Sequence, residues 1–186
     1  MGEIPAKLKG KPNFSSALSK SYTVVLSKEK VLQKINRLIH QVHENVFDEK
    51  EIVIAGIEGY GYVLAERIAK ELKAVSGINI ILAKIVMDKV EPLSRPIQLD
   101  GVTPQQYAKK IVIVVDDVIN SGKTIIYAVN HFLDQPVKRI QVLVLVDRDH
   151  TRYPVKADYV GLSISTTLQE HIRVSMEKGK EAIYLE

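Results

Sequence analysis

One segment constrains the fold of this chain more than any other. It begins with five β-branched residues in a row at positions 111–115, continues with Asp116 and Asp117, and ends in a short polar loop. A continuous β-branched run is typical of a strand that is buried on both faces, as in a parallel sheet covered by helices. An apolar helix is predicted to begin near Thr124. The carboxylates and the loop therefore lie at the carboxyl edge of an open α/β sheet, where ligands bind.

The loop after the acidic pair has the composition of a phosphate site. Ser121, Gly122 and Thr124 offer hydroxyls and backbone N–H groups at a helix N-terminus, and glycine lets the backbone approach an anion closely. Ionised Asp116 and Asp117 only accept hydrogen bonds, so they would bind two vicinal hydroxyls or face a bound Mg²⁺. A phosphate site beside a diol site describes a ribose 5-phosphate. The alternative is a helix cap beside a solvated aspartate.

The whole segment resembles the 5-phosphoribosyl-1-pyrophosphate (PRPP) signature of type I phosphoribosyltransferases, in which an apolar strand and an acidic pair precede a T/S-G-x-T loop. The resemblance implies a PRPP-dependent enzyme with Mg²⁺ as cofactor. It assigns Asp116 and Asp117 as catalytic residues that contact the ribose 2- and 3-hydroxyls, with an indirect part in holding the metal. The residues implied to wrap the 5-phosphate are Val118, Ile119, Asn120, Ser121, Gly122, Lys123 and Thr124.

A second glycine-containing turn, at residues 56–61, follows a predicted strand at residues 52–55. Its position indicates another strand-to-helix loop at the same sheet edge. The turn resembles the pyrophosphate loop of the same family, here Glu58, Gly59, Tyr60 and Gly61. That family commonly has a basic side chain in this loop, and the Glu58 carboxylate would repel pyrophosphate unless Mg²⁺ lies between them. A tight turn with Glu58 in water is the alternative.

Strand and helix patterns alternate along the chain, which predicts a doubly wound α/β fold with a mostly parallel sheet and helices on both faces. The family resemblance adds a small hood. Ser27 is placed to cap a first helix. Residues 1–21 are predicted to be an extended N-terminal arm and residues 22–186 a phosphoribosyltransferase-like domain. Further strands are predicted at residues 78–86, 140–146 and 159–162.

Composition adds few limits. The chain has 186 residues, of which 46% are hydrophobic and 26% charged, and its formal net charge is +4. This length suits one domain with a proper core, and the modest positive charge suits anionic ligands without requiring them. The absence of cysteine excludes disulfides, cysteine–zinc sites and thiol nucleophiles. Without a membrane-length apolar stretch or a signal-peptide pattern, we expect a cytoplasmic protein with no membrane partner.

Residues 146–150 and 154–161 are similar to one subgroup of the family, the pyrimidine operon attenuator proteins that also carry uracil phosphoribosyltransferase activity. The chain end at residues 182–184 matches as well. The resemblance implies a homodimer whose segment 147–150 lies beside a nucleobase, with uracil favoured. A solvated loop is the alternative, because no spacing rule fixes these side chains. The implied base pocket consists of Arg148, Asp149, His150, Thr166 and Thr167.

Residues 87–109, which include three prolines, are predicted to form a long connection. Connections of this length are usually functional or mobile. The family resemblance makes this segment the lid that closes over PRPP, with Lys89 and Arg95 as its candidate cations. The subgroup usually carries an Arg-Asp-Asp sequence near this place, which Met87, Asp88 and Lys89 match poorly. The identity of the nucleobase is therefore open.

A regulator that binds RNA and senses nucleotides through the same fold is the competing hypothesis. Leu162 stands where the subgroup would have a basic RNA-contacting residue, and the chain has no recognisable aromatic platform for RNA bases. The polar side of a surface helix is the simpler explanation of Arg37 and His40. A catalytically weak relative that binds PRPP or nucleotides is a third hypothesis, to which Glu58 points. The residues that resemble the RNA-contacting set are Arg37, His40, His150, Lys156 and Thr166.

Overall fold

The computed structural model describes residues 22–167 and 169–186. The predicted arm at residues 1–21 lies outside them, so its conformation stays a prediction. No helix among the described residues is long and apolar enough to cross a membrane. The described strands are β1 (Thr23–Leu26), β2 (Glu51–Ile57), β3 (Asn79–Val86), β4 (Gln98–Asp100), β5 (Ile111–Ile119), β6 (Arg139–Asp147), β7 (Tyr159–Ser163), β8 (Ile172–Ser175) and β9 (Ala182–Leu185), and the helices are α1 (Lys28–Val46), α2 (Tyr60–Ser76), α3 (Pro104–Tyr107) and α4 (Lys123–Phe132).

The larger of two sheets confirms the predicted doubly wound fold. Its strands lie in the order β4-β3-β2-β5-β6-β7, and all run parallel except the antiparallel edge strand β4. Helices α1 and α2 pack on one face, against a core that includes Ile113 and Val115 of β5. Helices α3 and α4 pack on the other face, against a core that includes Val112 and Val114. The unbroken β-branched run is therefore explained, because both faces of β5 are buried.

Strands β2 and β5 are neighbours at the centre of this sheet, yet their helices leave to opposite faces. Helix α2 follows β2 onto one face, whereas α4 follows β5 onto the other. The two strand-to-helix loops consequently diverge and leave a crevice between them at the carboxyl ends of the strands. This is the topological switch point, where open α/β sheets bind their ligands.

Helix α1 shows how local sequence produces one of these layers. Val31, Ile35, Leu38 and Val42 recur at helical spacing, and all are buried. Ser27 occupies the N-cap position as predicted, but its hydroxyl donates a hydrogen bond to the Glu29 carboxylate at 2.8 Å and does not cap the helix backbone. The start of α1 is therefore set by the apolar pattern more than by a capping bond.

A second, three-stranded antiparallel sheet in the order β1-β9-β8 forms the small hood. Val174 and Ile183 of this sheet join the core beneath α1 and α2, so the hood is packed onto the main domain. The sequence patterns do not predict these strands. Each has only 4 residues, which is too short for a reliable alternation of apolar and polar residues.

The connection predicted over residues 87–109 is only partly irregular. Strand β4 re-enters the sheet beside β3, with Gln98 paired to Val86. Helix α3 then begins at Pro104, behind a capping box formed by Thr103 and Gln106. Proline is favoured in the first turn of a helix, so Pro104 marks a helix start and not a loop. The irregular part, which we call the lid loop, is therefore residues 87–97.

Candidate active site

The acidic pair lies inside strand β5, which continues to Ile119. The sequence suggests a strand that ends at the carboxylates, but β5 still pairs with β6 beyond them, through Val118 with Val146 and Ile119 with Asp147. The predicted phosphate-binding residues Val118 and Ile119 are consequently strand residues. The sheet therefore fixes the backbone of Asp116 and Asp117.

Asp116 is a buried carboxyl group, only 5% exposed. Its Oδ1 atom accepts a hydrogen bond from the backbone N–H of Asp117 at 3.0 Å, and the Lys89 ammonium lies 3.7 Å from the same oxygen. Burial and then the charge of Asp117 raise the pKa of Asp116 well above its usual value, whereas Lys89 opposes the rise. The negative charge on Asp116 is therefore unfavourable unless a hydrogen-bond donor or a cation contacts it.

Helix α2 begins so close to Asp116 that a glycine is required at position 61. A Cβ atom on Gly61 would lie 2.7 Å from Asp116 Oδ1 and 3.0 Å from Asp116 Cα. The predicted turn at residues 56–61 is shorter than expected, because Gly56 belongs to β2 and Tyr60 and Gly61 belong to α2. Gly61 is therefore a helix residue that lets α2 lie close to β5, and it is not part of a turn.

The connection between β2 and α2 is the predicted pyrophosphate loop, and it carries no cation of its own. The backbone N–H of Glu58 donates to the carbonyl of Ile85 at 2.9 Å, while its side chain is exposed. Gly59 has a positive φ of 97°. A Cβ atom on Gly59 would lie 3.8 Å from the Lys89 ammonium. The cation at this loop therefore comes from Lys89, which follows β3.

The loop from β5 to α4, at residues 120–122, forms a small polar cavity, and we call it the phosphate loop after its predicted ligand. Gly122 caps α4 in the left-handed conformation (φ 81°, ψ −2°), and the N–H of Lys123 donates to Ser121 Oγ at 3.3 Å. The cavity has a volume of about 50 Å³ and is lined by Asp116 and residues 118–125. That volume is far below the ~300 Å³ of a pocket for a whole ligand, so this cavity suits a single group such as a phosphate.

A second loop, after β6, packs over this cavity. The N–H groups of Arg152 and Tyr153 donate to the Ser121 carbonyl at 2.8 and 3.2 Å. A Cβ atom on Gly122 would lie only 2.5 Å from Cγ1 of Val155. The phosphate loop is thus held from outside by residues 152–155, which leave no room for a side chain at position 122.

Arg148, a predicted base-pocket residue, is buried and ties two loops together. Its Nη1 donates to Asn120 Oδ1 at 2.8 Å. Its Nη2 donates to Thr166 Oγ1 at 2.8 Å and to the Glu170 carbonyl at 2.6 Å. The phosphate loop after β5 and the loop after β7 are therefore joined through one guanidinium group.

The other predicted base-pocket residues gather at the same place. The His150 ring contacts the carbonyl of Thr166, whose hydroxyl is held by Arg148. Asp149 and Thr167 are exposed, and the Thr167 N–H donates to Glu170 Oε2 at 2.6 Å. This bond lowers the pKa of Glu170. Sequence reasoning missed Glu170, although its place three residues after a threonine is typical of side-chain-to-backbone capping.

The two predicted lid cations lie in different places. Lys89 is at the acidic pair, whereas Arg95 lines a groove against α4 together with Tyr127 and His131. The Lys123 ammonium donates to the carbonyl of Val90 at 2.7 Å, which anchors the lid loop to the start of α4. The lid loop is therefore attached to the phosphate loop in the structure.

The residues considered for RNA contact lie along the edge strand β7 and its flanks. Arg37 donates to the carbonyls of Val160 and Gly161 at 2.7 and 3.0 Å, and His40 is exposed one turn further along α1. Lys156 is exposed just before β7, and the contact between His150 and Thr166 lies just after it. Arg37 thus has a structural role at the sheet edge.

Comparison with known proteins assigns the class of this chain. The family described as "Phosphoribosyl transferase domain" matches residues 21–178, and the chain belongs to that family. Two solved phosphoribosyltransferase structures share its fold. The hypoxanthine phosphoribosyltransferase of Trypanosoma cruzi has a TM-score of 0.71 at 13% identity and covers 88% of this chain and 95% of its own. A hypoxanthine-guanine phosphoribosyltransferase from Bacillus anthracis has a TM-score of 0.69 at 23% identity. The match covers 88% of this chain and 97% of that chain.

Two curated relatives from different bacteria carry the same protein name. The chain is 31% identical over 170 residues to the "Bifunctional protein PyrR" of Pelotomaculum thermopropionicum, which covers 87% of this chain and 93% of that protein. It is 34% identical over 158 residues to the protein of the same name from Streptococcus suis. That alignment covers 81% of this chain and 89% of that protein. The predicted membership of the phosphoribosyltransferase family is therefore confirmed.

Proposed function

We propose that this protein transfers phosphoribose from PRPP to a nucleobase, with uracil favoured, and releases pyrophosphate. The observation that carries the proposal is the convergence of the acidic pair, of which Asp116 is buried, and a phosphate-sized cavity at the switch point of the sheet. The acidic pair suits a ribose diol, and the cavity suits a 5-phosphate. The proposed acceptor base lies at the loops of residues 147–150 and 163–167, next to the phosphate cavity.

The chain acts mainly by positioning and by electrostatics. As pyrophosphate leaves C1 of the ribose, positive charge develops on the sugar, and the carboxylates of Asp116 and Asp117 stabilise it. The phosphate loop fixes the 5-phosphate end of the same substrate, which orients C1 toward the base. The lid loop closes over both and excludes water. Asp117, which is partly exposed, is the better placed of the pair to accept a proton from the base.

Magnesium fits this site only as a partner of the substrate. Among the described residues, no group of three or more His, Asp or Glu side chains could hold a metal by itself. Mg²⁺ is commonly bound by one or two carboxylates together with substrate phosphates and water, so Asp116 and Asp117 would supply the protein part. When bound, it would neutralise the pyrophosphate leaving group.

The base pocket would use backbone groups and Thr167 rather than Arg148. The Arg148 guanidinium already bonds to Asn120, Thr166 and Glu170. Its role in the proposal is to hold the phosphate loop and the base loop in one arrangement. Uracil presents donors and acceptors on one edge, which exposed hydroxyl and backbone groups can match.

Titration of PRPP into the protein, with and without Mg²⁺, tests the proposal, followed by pyrophosphate release with each of uracil, hypoxanthine, guanine, adenine, xanthine and orotate. We expect Mg²⁺-dependent binding, with release for uracil. The double variant Asp116→Asn, Asp117→Asn should lose turnover while it keeps its unfolding midpoint or exceeds it. Retained turnover in that variant would remove the pair from the mechanism, and a wild-type chain that does not bind PRPP would overturn the proposal.

RNA binding is a second candidate function, which the exposed side chains of His40 on α1 and Lys156 just before β7 favour. The relatives named above are described as bifunctional. Fluorescence anisotropy at moderate salt, with a structured leader RNA and an unstructured RNA of equal length, tests it. Preference for the structured RNA, lost in Lys156→Gln, would support regulation. Equal, salt-sensitive retention of both RNAs would indicate phosphate contacts only.

Two further predictions belong to this proposal. We expect a homodimer, because the family resemblance implies one, and a cytoplasmic location. Light scattering on the full chain measures the first, and cell fractionation measures the second. A monomer that is active at micromolar concentration would contradict the first expectation and show that one chain supplies the whole site.

A further inference from the structure

We propose that Lys123 is a positioning residue that couples the bound 5-phosphate to the lid loop, through its backbone at one end and its ammonium at the other. The inference deepens the proposed function and rests on it, because it needs a ligand with a 5-phosphate. Lys123 lines the phosphate-sized cavity, and its ammonium donates to the carbonyl of Val90 at 2.7 Å. One residue therefore joins the phosphate cavity to the lid loop.

Lys123 is the first residue of α4, where a lysine is unfavourable without a particular contact. The backbone N–H groups at a helix N-terminus carry partial positive charge, which repels an ammonium. The first turn of α4 contains no acidic residue that could offset this charge. Extension of the side chain to the Val90 carbonyl gives the ammonium a partner of negative partial charge. The N–H groups before α4 then stay available to a phosphate.

The lid loop is folded so that it presents this carbonyl. Asp88 Oδ1 accepts hydrogen bonds from the N–H groups of Val90 and Glu91, at 2.9 and 2.8 Å, which fixes the backbone in a side-chain-to-backbone turn. The Glu91 carbonyl accepts a bond from the N–H of Ser94 at 2.9 Å. The Val90 carbonyl accepts its bond from Lys123, outside the loop. The turn at Asp88 thus supports the contact from the lid side.

The outer part of the lid loop has little apolar packing. Pro92 is buried, but the side chains of Val90 and Leu93 are 78% and 80% exposed. The ammonium of Lys89, on the same loop, is 3.7 Å from the buried carboxylate of the acidic pair, which is longer than a hydrogen bond. The bond from Lys123 is therefore a large part of what holds the lid loop against α4.

A phosphate in the cavity would strengthen this hold. It accepts hydrogen bonds from the backbone N–H groups of the phosphate loop and the start of α4, which fixes the backbone of Lys123. A side chain on a fixed backbone loses less conformational entropy when it binds the lid loop. Because such coupling is reciprocal, a closed lid loop also holds the phosphate more firmly. The lid thus responds to the end of the substrate that does not react.

Hydrogen exchange of the lid amides tests the coupling, in the free protein and with saturating ribose 5-phosphate, which has no pyrophosphate. We expect exchange in free Lys123→Met to be about five- to tenfold faster than in wild type, as for the loss of a charged hydrogen bond at a partly exposed site. Ribose 5-phosphate should slow lid exchange about fivefold in wild type and much less in Lys123→Met. Lys123→Arg, which can still donate to the carbonyl, should restore both effects.

A second pair of variants breaks the same contact from the lid side. Asp88→Ala removes the turn behind the Val90 carbonyl and should lose the response to ribose 5-phosphate, as Lys123→Met does. Asp88→Asn keeps a side-chain oxygen for the turn and is its matched control. Lys73→Gln removes an exposed charge on α2 and should behave as wild type.

The outcomes separate this inference from the proposed function. Equal lid exchange in free wild type and Lys123→Met would overturn the inference, as would an equal response of both to ribose 5-phosphate. Faster lid exchange in liganded wild type, or loss of ribose 5-phosphate binding in Lys123→Met, would place the ammonium on the phosphate and overturn it too. Each of these results leaves PRPP turnover, which is measured separately, intact. A wild-type protein that binds neither ligand overturns the proposed function, and the coupling with it.

Discussion

The Asp116 carboxyl group is buried where a negative charge is poorly solvated, so keeping that charge in the folded state costs free energy. Its pKa is raised by burial and by Asp117, and Lys89 compensates only from 3.7 Å. Such a cost is typical of a functional site, where stability is given up for chemistry. The residue therefore links a stability measurement to the proposed function.

We expect Asp116→Asn to stabilise the protein at neutral pH, with the unfolding midpoint rising by about 2–4 °C for each ~1 kcal/mol gained. Because the folded pKa is raised above the ordinary value of 3.8, the wild-type carboxyl stabilises the fold fully below that pH. This contribution is lost as the pH rises through the folded pKa. Calorimetry from acidic to neutral pH should show the gap between variant and wild type widening with pH. A constant gap, or one shared by the exposed control Asp48→Asn, would contradict the assignment.

Gly122 is constrained twice, by its φ of 81° and by Val155. We expect Gly122→Ala to cost about 1–2 kcal/mol for the left-handed backbone and a further amount for the clash at 2.5 Å. Gly179→Ala is the matched control, because Gly179 has a φ of 86° and nothing within 4 Å of the added methyl group. Urea unfolding should show a larger loss for Gly122→Ala, part of which Val155→Ala restores. Equal losses at positions 122 and 179 would show that packing against Val155 does not matter.

Arg148 acts at the scale of elements, because it joins the loop after β5 to the loop after β7. We expect Arg148→Lys to keep the charge but lose the forked contacts to Asn120 and Thr166, at a cost of about 1–3 kcal/mol in stability. Affinity for both PRPP and the base should fall together. Arg152→Lys, on an exposed side chain of the adjoining loop, is the control. A loss confined to the base would instead place Arg148 in contact with the base.

The hood is attached to α2 by an ion pair that should respond to pH. Glu181 is buried, which raises its pKa, but backbone hydrogen bonds and Arg67 outweigh burial and lower it below 4.5. The stability it provides is therefore present above that value and is lost as the pH falls through the folded pKa. Glu181→Gln should cost about 1 kcal/mol at neutral pH, and the difference should close in acid. The exposed Glu177→Gln is the control.

At the scale of the whole molecule, the sequence predicts the long buried strands better than anything else. Strands β2, β3, β5, β6 and β7 are close to their expected positions, because apolar runs bounded by turn residues are strong signals of buried strands. The sequence patterns did not predict β4 or the individual strands of the hood, which only the family resemblance implied. The hood strands have 4 residues each and β4 has 3, which is too short for a reliable local pattern, and β1 pairs with β9 from the opposite end of the described chain.

In the candidate site, too, residues that are contiguous in sequence could be predicted, whereas contacts between distant residues could not. Asp116, Asp117 and the phosphate loop are contiguous in sequence, and their chemistry could be predicted from residue types alone. The contacts of Lys89 with Asp116 and of Arg148 with Asn120 depend on the order of the strands in the sheet. Such contacts join residues 27 and 28 positions apart, and a linear pattern does not report them.

The lid loop leaves and re-enters the sheet at paired positions, Val86 and Gln98. Because its two ends are held together by the sheet, adding residues between them costs little closure entropy, only about 0.6 kcal/mol for a doubling of length. Leu93, 80% exposed, marks the middle of the loop, where insertions would be absorbed. Lys89 lies close to the β3 end and would keep its place. Descendants of this sequence can therefore gain or lose lid residues while the sheet and the acidic pair remain as they are.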